Sequence, residues 1–573
     1  MKKRLLALML ALVTVAALFA GCGNSSKTPA ETGDETVAET ATRAAVSINM
    51  WVVTDEKTTD EAKEQVEKAL NEITKKRFTT YVDLMFFTKD EYAKALTDRF
   101  EAIENKVKEA EEEKKRQRAI EQSMKAAGIT LPPQTTELVD EEATTPEQTI
   151  VNEYGVIELK YPEIPEDQVD IVLIQGYNQL NDLVKAGRLT KLDEEISSTG
   201  SSKSLTDYIN SRFFDYTKID KNVYAIPNNH VIGEYTYLLL NKKLADKYYL
   251  YPGSVTNFTD CVSFVEDIKN NETVAPVKAP FDALTTYFWN SDLSGPDFSV
   301  LASTYTLSAQ QEPSSNPRFS LLTPFQLAQY KDHVMLMRKY ENEGYFAKND
   351  TDPFGVGVVK GDYALRHQYE DDYYVNVIRK PVADDNELYA SFFGVSAYTG
   401  NLKRSMEIIT LLNTTSEIRN ILQYGVPDVH YTLNEDGTVR RLNNDYLMNL
   451  TDTGNVFMAY PEESMGPDAW KNGKIQNSEA VIFPLAGLCT VWTDADPELL
   501  KKIDELSAEY RAKLLACKTE AEVDEFFSTA RSEVLTNEAV RAATDQSEDA
   551  KSIAALYRSW YTNSDHTAWN ADA

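Results

Sequence analysis

The stretch "QVDIVLIQGYNQLNDLVKAGRLTKLDEEI", Gln168 to Ile196, decides the fold class. Ile171 to Ile174 form a continuous apolar run, as in a strand buried on both faces. Leu180, Leu183, Val184 and Leu189 then recur at helical spacing. Between them, Gln175 to Gln179 predicts a strand-to-helix turn. In open α/β sheets, turns at the carboxyl ends of strands line the ligand crevice.

The pattern repeats upstream. "VSINMWVV" (Val46 to Val53) reads as a strand, and the segment 54–77 as a helix with Ala62, Val66, Ala69, Leu70 and Ile73 on one face. "TYVDLMFFT" (Thr80 to Thr88) is the next strand. Strand, helix, strand opens an α/β fold with a parallel sheet. A helix then runs on from about Lys89 to Ala127. Glu104–Lys108, Glu111–Lys115 and Glu112–Arg116 stand at i,i+4 in the favourable order, and few apolar residues interrupt its middle. That predicts a solvated, projecting helix. Pro132 and Pro133 end it, and "GVIELKYPEIPEDQ" reads as a short hairpin or edge piece.

The first residues have a different origin. Lys2, Lys3 and Arg4 precede an uncharged apolar run from Leu5 to Ala20, the pattern of a secretory signal. The run ends Leu18-Phe19-Ala20-Gly21-Cys22, which resembles the bacterial lipoprotein cleavage box, with Phe19 in place of the usual leucine. The resemblance implies that residues 1–21 are removed and that Cys22 carries lipid, since two or more acyl chains anchor stably. Residues 22–45 are polar and aperiodic. They cannot offset chain entropy by burial, so a flexible tether is expected. The implied location is the outer face of the bacterial cytoplasmic membrane.

Composition narrows the remaining classes. The chain has 573 residues, 42% of them hydrophobic, enough for a large core. Its formal net charge of -31 argues against nucleic acid as a partner and against docking on anionic lipid. Beyond Cys22 only Cys261, Cys489 and Cys517 remain, and three cysteines do not make a disulfide framework. No later run reaches the ~18 apolar residues of a membrane span.

Together these features resemble the extracellular solute-binding proteins of ABC importers, family 1. Four segments carry the likeness: Val169 to Ile196; "KNVYAIPNNHVIGEYTYLLLNKKLADKY" (Lys221 to Tyr248); "YASFFGVSAYTGNLKRSMEIITLLNTTSEIRNILQYGVPDVHYTLNEDG" (Tyr389 to Gly437); and "SIAALYRSWYTN" (Ser552 to Asn563). The resemblance implies an α/β, two-lobed, periplasmic-binding-protein-like fold with hinge strands and a ligand cleft. Lobe 1 is expected over 46–238 with an insertion at about 105–165. Lobe 2 is expected over 239–392, and 393–573 returns to lobe 1 before C-terminal helices pack across the lobes. It further implies a small solute as ligand (carbohydrate or oligosaccharide), permease subunits as partners, a monomer, and no cofactor, metal or catalytic residue.

A sugar offers apolar ring faces and a rim of hydroxyls, so its binder wants aromatic platforms beside Asp, Asn or Arg. Trp51 and Asp55 lie at the end of the first strand. Tyr177 and Asn178 sit on the turn after the buried strand. Trp289 and Tyr369 fall where the family carries aromatics of its second lobe, and Tyr431 and Trp470 complete the candidates. No G-x-S-x-G, H-E-x-x-H, C-x-x-C or phosphate loop is present. Two alternatives stay open here: a glycan-acting hydrolase using a carboxylate pair, and an adhesin or structural lipoprotein working through the charged helix.

Overall fold

The computed structural model describes residues 43–126, 149–151, 157–216, 218–278, 298–303, 321–326, 328–349, 351–482, 486–487, 489, 496–545, 547 and 552–556. Among these, nine strands build two main sheets: β1 (Val46–Val53), β2 (Thr80–Phe87), β3 (Ile171–Ile174), β4 (Ala225–Pro227), β5 (Tyr235–Asn241), β6 (Ala275–Lys278), β7 (Phe354–Gly361), β8 (Tyr373–Arg379) and β9 (Phe392–Val395). The first sheet has the order β2-β1-β3-β9-β4 and the second β6-β7-β5-β8. The α/β architecture has two lobes.

In the first sheet β1 runs parallel to β2 and β3, while β9 is antiparallel to β3 and β4. Ile171 to Ile174 are fully buried, as the apolar run predicts. β9 approaches closely enough that a Cβ on Gly394 would lie 2.7 Å from Ile174 Cδ1, which explains glycine there. Helix α1 (Asp60–Phe78) starts six residues later than its periodicity suggests, because the Thr59 side chain caps it by accepting from Ala62 N. It ends where Thr79 turns left-handed, φ 53°.

α1 also guards the sheet edge. The Asn71 amide donates to Val82 O at 2.7 Å and accepts from Val82 N at 2.8 Å, standing where a further strand would pair. Glu67 Oε2 accepts from Leu84 N at 3.1 Å. Edge strands so covered are shielded from pairing with other chains. Asn71→Ala is expected to lower stability by about 1–3 kcal/mol, the cost of stranding buried backbone groups. Urea unfolding would register it as an earlier midpoint.

Helix α2 (Lys89–Ala126) is 38 residues long. It buries Tyr92, Leu96, Phe100 and Ile103, and Arg188 pairs with Glu104 at 2.7 Å. From Asn105 to Ile120 every residue is exposed, so contact stops where the apolar spacing stops. At 1.5 Å per residue the exposed part extends roughly 24 Å. Thr149–Val151 runs antiparallel to Ile157–Leu159, so the segment 155–168 read as a hairpin or edge piece supplies only the second strand of this pair. Helix α3 (Gly176–Lys185) follows β3 and buries Leu180 and Leu183.

In the second sheet β6 and β7 are parallel and β5 is antiparallel to both its neighbours. Helices α4 (Val262–Asn271) and α5 (Ala328–Asn342) cover one face, where Leu238, Leu240, Phe264, Ile268, Met337, Tyr340 and Val356 share a core. The whole of β5 lies in this sheet, so a lobe boundary at 238 cuts a strand. The chain crosses between sheets at 228–234 instead, because Tyr235 already pairs with Gly361. It recrosses at 380–391 to enter β9.

Helices α6 (Leu402–Thr414) and α7 (Ser416–Tyr424) then pack on the first core. Helix α8 (Ala469–Glu479) lies across the first crossing segment: Gln476 Nε2 donates to the carbonyls of Ile232 and Gly233, and Asn477 accepts from Ile232 N. A Cβ on Gly473 would stand 2.6 Å from Val231 Cγ2, so only glycine allows this approach. Val481 pairs with Val382 in the second crossing segment. The last helices, α9 (Pro497–Ala516), α10 (Glu520–Thr536) and α11 (Glu538–Thr544), build a core with α5 around Phe325.

Candidate ligand cleft

Topology dictates where the two sheets face each other. β1, β2 and β3 end on one side of the first sheet, and there β4 leaves and β9 enters. β6, β7 and β8 end, and β5 begins, on one side of the second. Both crossing segments therefore join the carboxyl edge of one sheet to the carboxyl edge of the other, the crevice position in open α/β sheets.

At the first lobe's edge a polar network is buried. The Asp452 carboxylate accepts from Gln175 Nε2 at 2.8 Å and from Asn449 Nδ2 at 3.1 Å. Ser391 Oγ accepts from Asn228 Nδ2 at 2.9 Å. Burial pushes the Asp452 carboxyl above its ordinary range, against the lowering effect of its hydrogen bonds from Ser391, Asn449 and Gln175. A second link joins the crossing segments, with His230 Nε2 3.0 Å from Glu387 and Nδ1 3.0 Å from the Asn228 carbonyl. Across the hinge, the Tyr235 hydroxyl donates to Glu479 at 2.7 Å, and Tyr235, Tyr237, Phe354, Tyr363, Tyr369 and Tyr373 form an aromatic cluster on the second sheet.

No family model matches the chain. A carbohydrate ABC transporter substrate-binding protein of Streptococcus pneumoniae is 22% identical over 306 residues, half of this chain. The match spans 60% of that relative's length. Among solved structures, an N-glycan transport solute binding protein from Streptococcus pneumoniae superposes with TM-score 0.53 at 16% identity, covering 90% of this chain and 99% of its own. The chain has the solute-binding-protein fold. An extracellular solute-binding protein from Bifidobacterium longum subsp. infantis aligns at TM-score 0.46 and 12% identity over 90% of this chain and 98% of that one. Both the relative and the superposed structure are solute-binding proteins, and the likeness shows the fold.

On this solute-binding fold the candidates from the sequence separate. Asp55 is exposed at the carboxyl end of β1, where its Oδ1 accepts from Lys57 N at 2.9 Å. Tyr177 and Asn178 open α3 at the end of β3; Asn178 is exposed, and Tyr177 stands edge-on to Tyr389 at 5.1 Å. These three share the crevice side of lobe 1. Tyr369 belongs to the aromatic cluster of lobe 2, edge-on to Tyr373 at 6.0 Å. Trp289 and Cys22 lie outside the described residues.

Two candidates are core residues instead. Trp51 is 3% exposed, stacks on Phe87 at 4.8 Å and donates from Nε1 to Asn49 Oδ1. The Arg99 guanidinium lies 5.7 Å from its ring. Its faces and its N–H are thus engaged inside lobe 1. Trp51→Phe is expected to reduce stability by about 1–2 kcal/mol through lost packing while leaving ligand affinity unchanged, which parallel unfolding and titration would check. Tyr431, also 3% exposed, belongs to a small core with Tyr424, Val439 and Ala459. Trp470, half-buried, anchors α8 by donating to Ala459 O at 2.6 Å.

Sequence reasoning passed over Gln175, Asn228, His230, Glu387, Ser391 and Asp452. Gln175 was inside the quoted turn, and "PNNH" (Pro227 to His230) concentrates polar groups between two apolar strands. Asp452 carries no local signal. Among the described residues, no group of three His, Cys, Asp or Glu side chains is placed to hold a metal.

Proposed function

We propose that this chain is the substrate-binding component of an ABC importer, held by lipid on Cys22 at the outer face of the cytoplasmic membrane. It takes a carbohydrate or oligosaccharide between its lobes, closes by hinge motion, and delivers the solute to permease subunits. The observation that carries this reading is the arrangement of the two carboxyl edges. They face one hinge that includes both crossing segments, with buried polar groups at the edge and α8 packed across the first of them. Similarity to a carbohydrate ABC transporter substrate-binding protein and to an N-glycan transport solute binding protein supports the ligand class.

Within the cleft, Asp55 and Asn178 would take sugar hydroxyls, and Tyr177 and Tyr369 would offer ring faces; Trp289 is proposed as a further ring face for the sugar. No covalent step is assigned, and the protein acts as a monomer. The test is a thermal-shift screen of the full chain against mono- and oligosaccharides, amino acids and peptides. A ligand at 100 times its Kd should add about 2.7 kcal/mol. A stabilising glycan recovered unaltered is the expected result. A glycan consumed during the assay would replace binding by hydrolysis, and silence across all sugars would sink the carbohydrate assignment.

A further inference from the structure

Three distant parts of the chain meet at one buried carboxylate. Gln175 ends β3, Asn228 opens the first crossing segment, and Ser391 closes the second. Asp452, 2% exposed, is bound directly by Gln175 and Ser391, and through Ser391 Oγ it reaches Asn228. The amides of Gln175 and Asn449 and the Ser391 hydroxyl all act as donors toward it, so an acceptor-only, ionised carboxylate satisfies them. The loop that carries it is itself held from behind. Arg419 donates to Leu450 O at 2.6 Å and Gln423 Nε2 to Met448 O at 2.9 Å.

We infer that Asp452 is a positioning residue for the cleft: its ionised side chain orients Gln175 at the carboxyl edge of β3 and, through Ser391, registers both crossing segments. Ligand affinity and hinge order then depend on the same group. The affinity part rests on the function proposed above; the hinge part does not.

The surroundings set the sign of the pH response. Lys89 and Tyr92 from α2 and the buried Arg419 from α7 are the charged and titratable groups that face it. Burial raises the Asp452 carboxyl, so its contribution to stability is present at low pH and is lost as pH rises through the raised value. Acidification therefore strengthens the fold through this group while removing the anion that orients Gln175. Affinity and this stability contribution move in opposite directions, which a purely structural role would not produce.

The test compares the full chain with Asp452→Asn and Ser391→Ala. Amide hydrogen exchange is followed over 173–176, 226–231 and 389–393, with affinity for a stabilising glycan titrated from pH 7 to pH 5. Asp452→Asn should speed exchange in all three segments together and weaken the glycan about tenfold, a 1.4 kcal/mol change. Its residual affinity should be flat with pH, where the wild type weakens on acidification. Ser391→Ala should speed 226–231 and leave 173–176 protected. Faster exchange confined to 449–453, or the same pH dependence in Asp452→Asn as in the wild type, would overturn the inference. If no glycan binds the wild type, the proposed function fails and the exchange data still decide the hinge role.

Discussion

Replacing Asp170 with alanine is expected to lower stability by about 4 kcal/mol, because it strands several buried donors at once. Asp170 is fully buried before β3. Its Oδ2 accepts from Asn49 N at 2.9 Å and Gln168 Nε2 at 2.7 Å, and its Oδ1 from Thr399 Oγ1 at 2.6 Å and Gly400 N at 2.7 Å. One carboxylate therefore ties β1, the lead into β3 and the chain leaving β9. Alanine leaves backbone N–H groups of two segments without acceptors and opens a void beside them. Asp170→Asn keeps the shape but turns one acceptor into a donor facing donors, so it should fall between wild type and alanine. Urea unfolding followed by near-ultraviolet signals checks both; a loss below about 1 kcal/mol for alanine would mean that water replaces the carboxylate at little cost.

The second large effect is expected at Phe325. Phe325→Ala should cost about 3–5 kcal/mol, the range for emptying a well-packed aromatic site. Its ring lies 5.9 Å from Phe298, 5.7 Å from Tyr510, 5.4 Å from Phe526 and 5.3 Å from Phe527. Tyr510 comes from α9 and Phe526 and Phe527 from α10, and Phe325 is the point where these two helices converge on the second lobe beside α5. Removing it should raise hydrogen exchange in α9, α10 and α11 before it does so in β1 to β3. Equal protection loss in both lobes would show that the C-terminal helices are not a separately loosened unit.

Particular elements explain what the sequence made readable. The run after Asp170, the stripe of α3 and the βαβ start were legible because periodicity and apolar runs report burial directly. The misplacement of Trp51 has the same root. Met50 to Val53 are apolar at both parities, the mark of a strand covered on both faces, so the end of β1 is inside the lobe and the crevice starts only at Asp55. The insertion helix was legible from its want of apolar spacing after Ile103. The edge clasp of Asn71 and the node at Asp452 were not. Asn71 reaches a strand 11 residues on, and Asp452 binds Gln175 across 277 residues, distances over which neither composition nor spacing carries information. Hinge placement fell between these cases: "PNNH" marked a break, but only pairing of Tyr235 with Gly361 fixes β5 in the second sheet.

Small-angle X-ray scattering of the full chain, with and without the stabilising glycan, tests the central claim most directly. Hinge closure around a solute predicts a smaller radius of gyration at saturating glycan, reversed on dialysis, with the glycan recovered intact. A saturating glycan that leaves the scattering unchanged, or that is recovered cleaved, would contradict it.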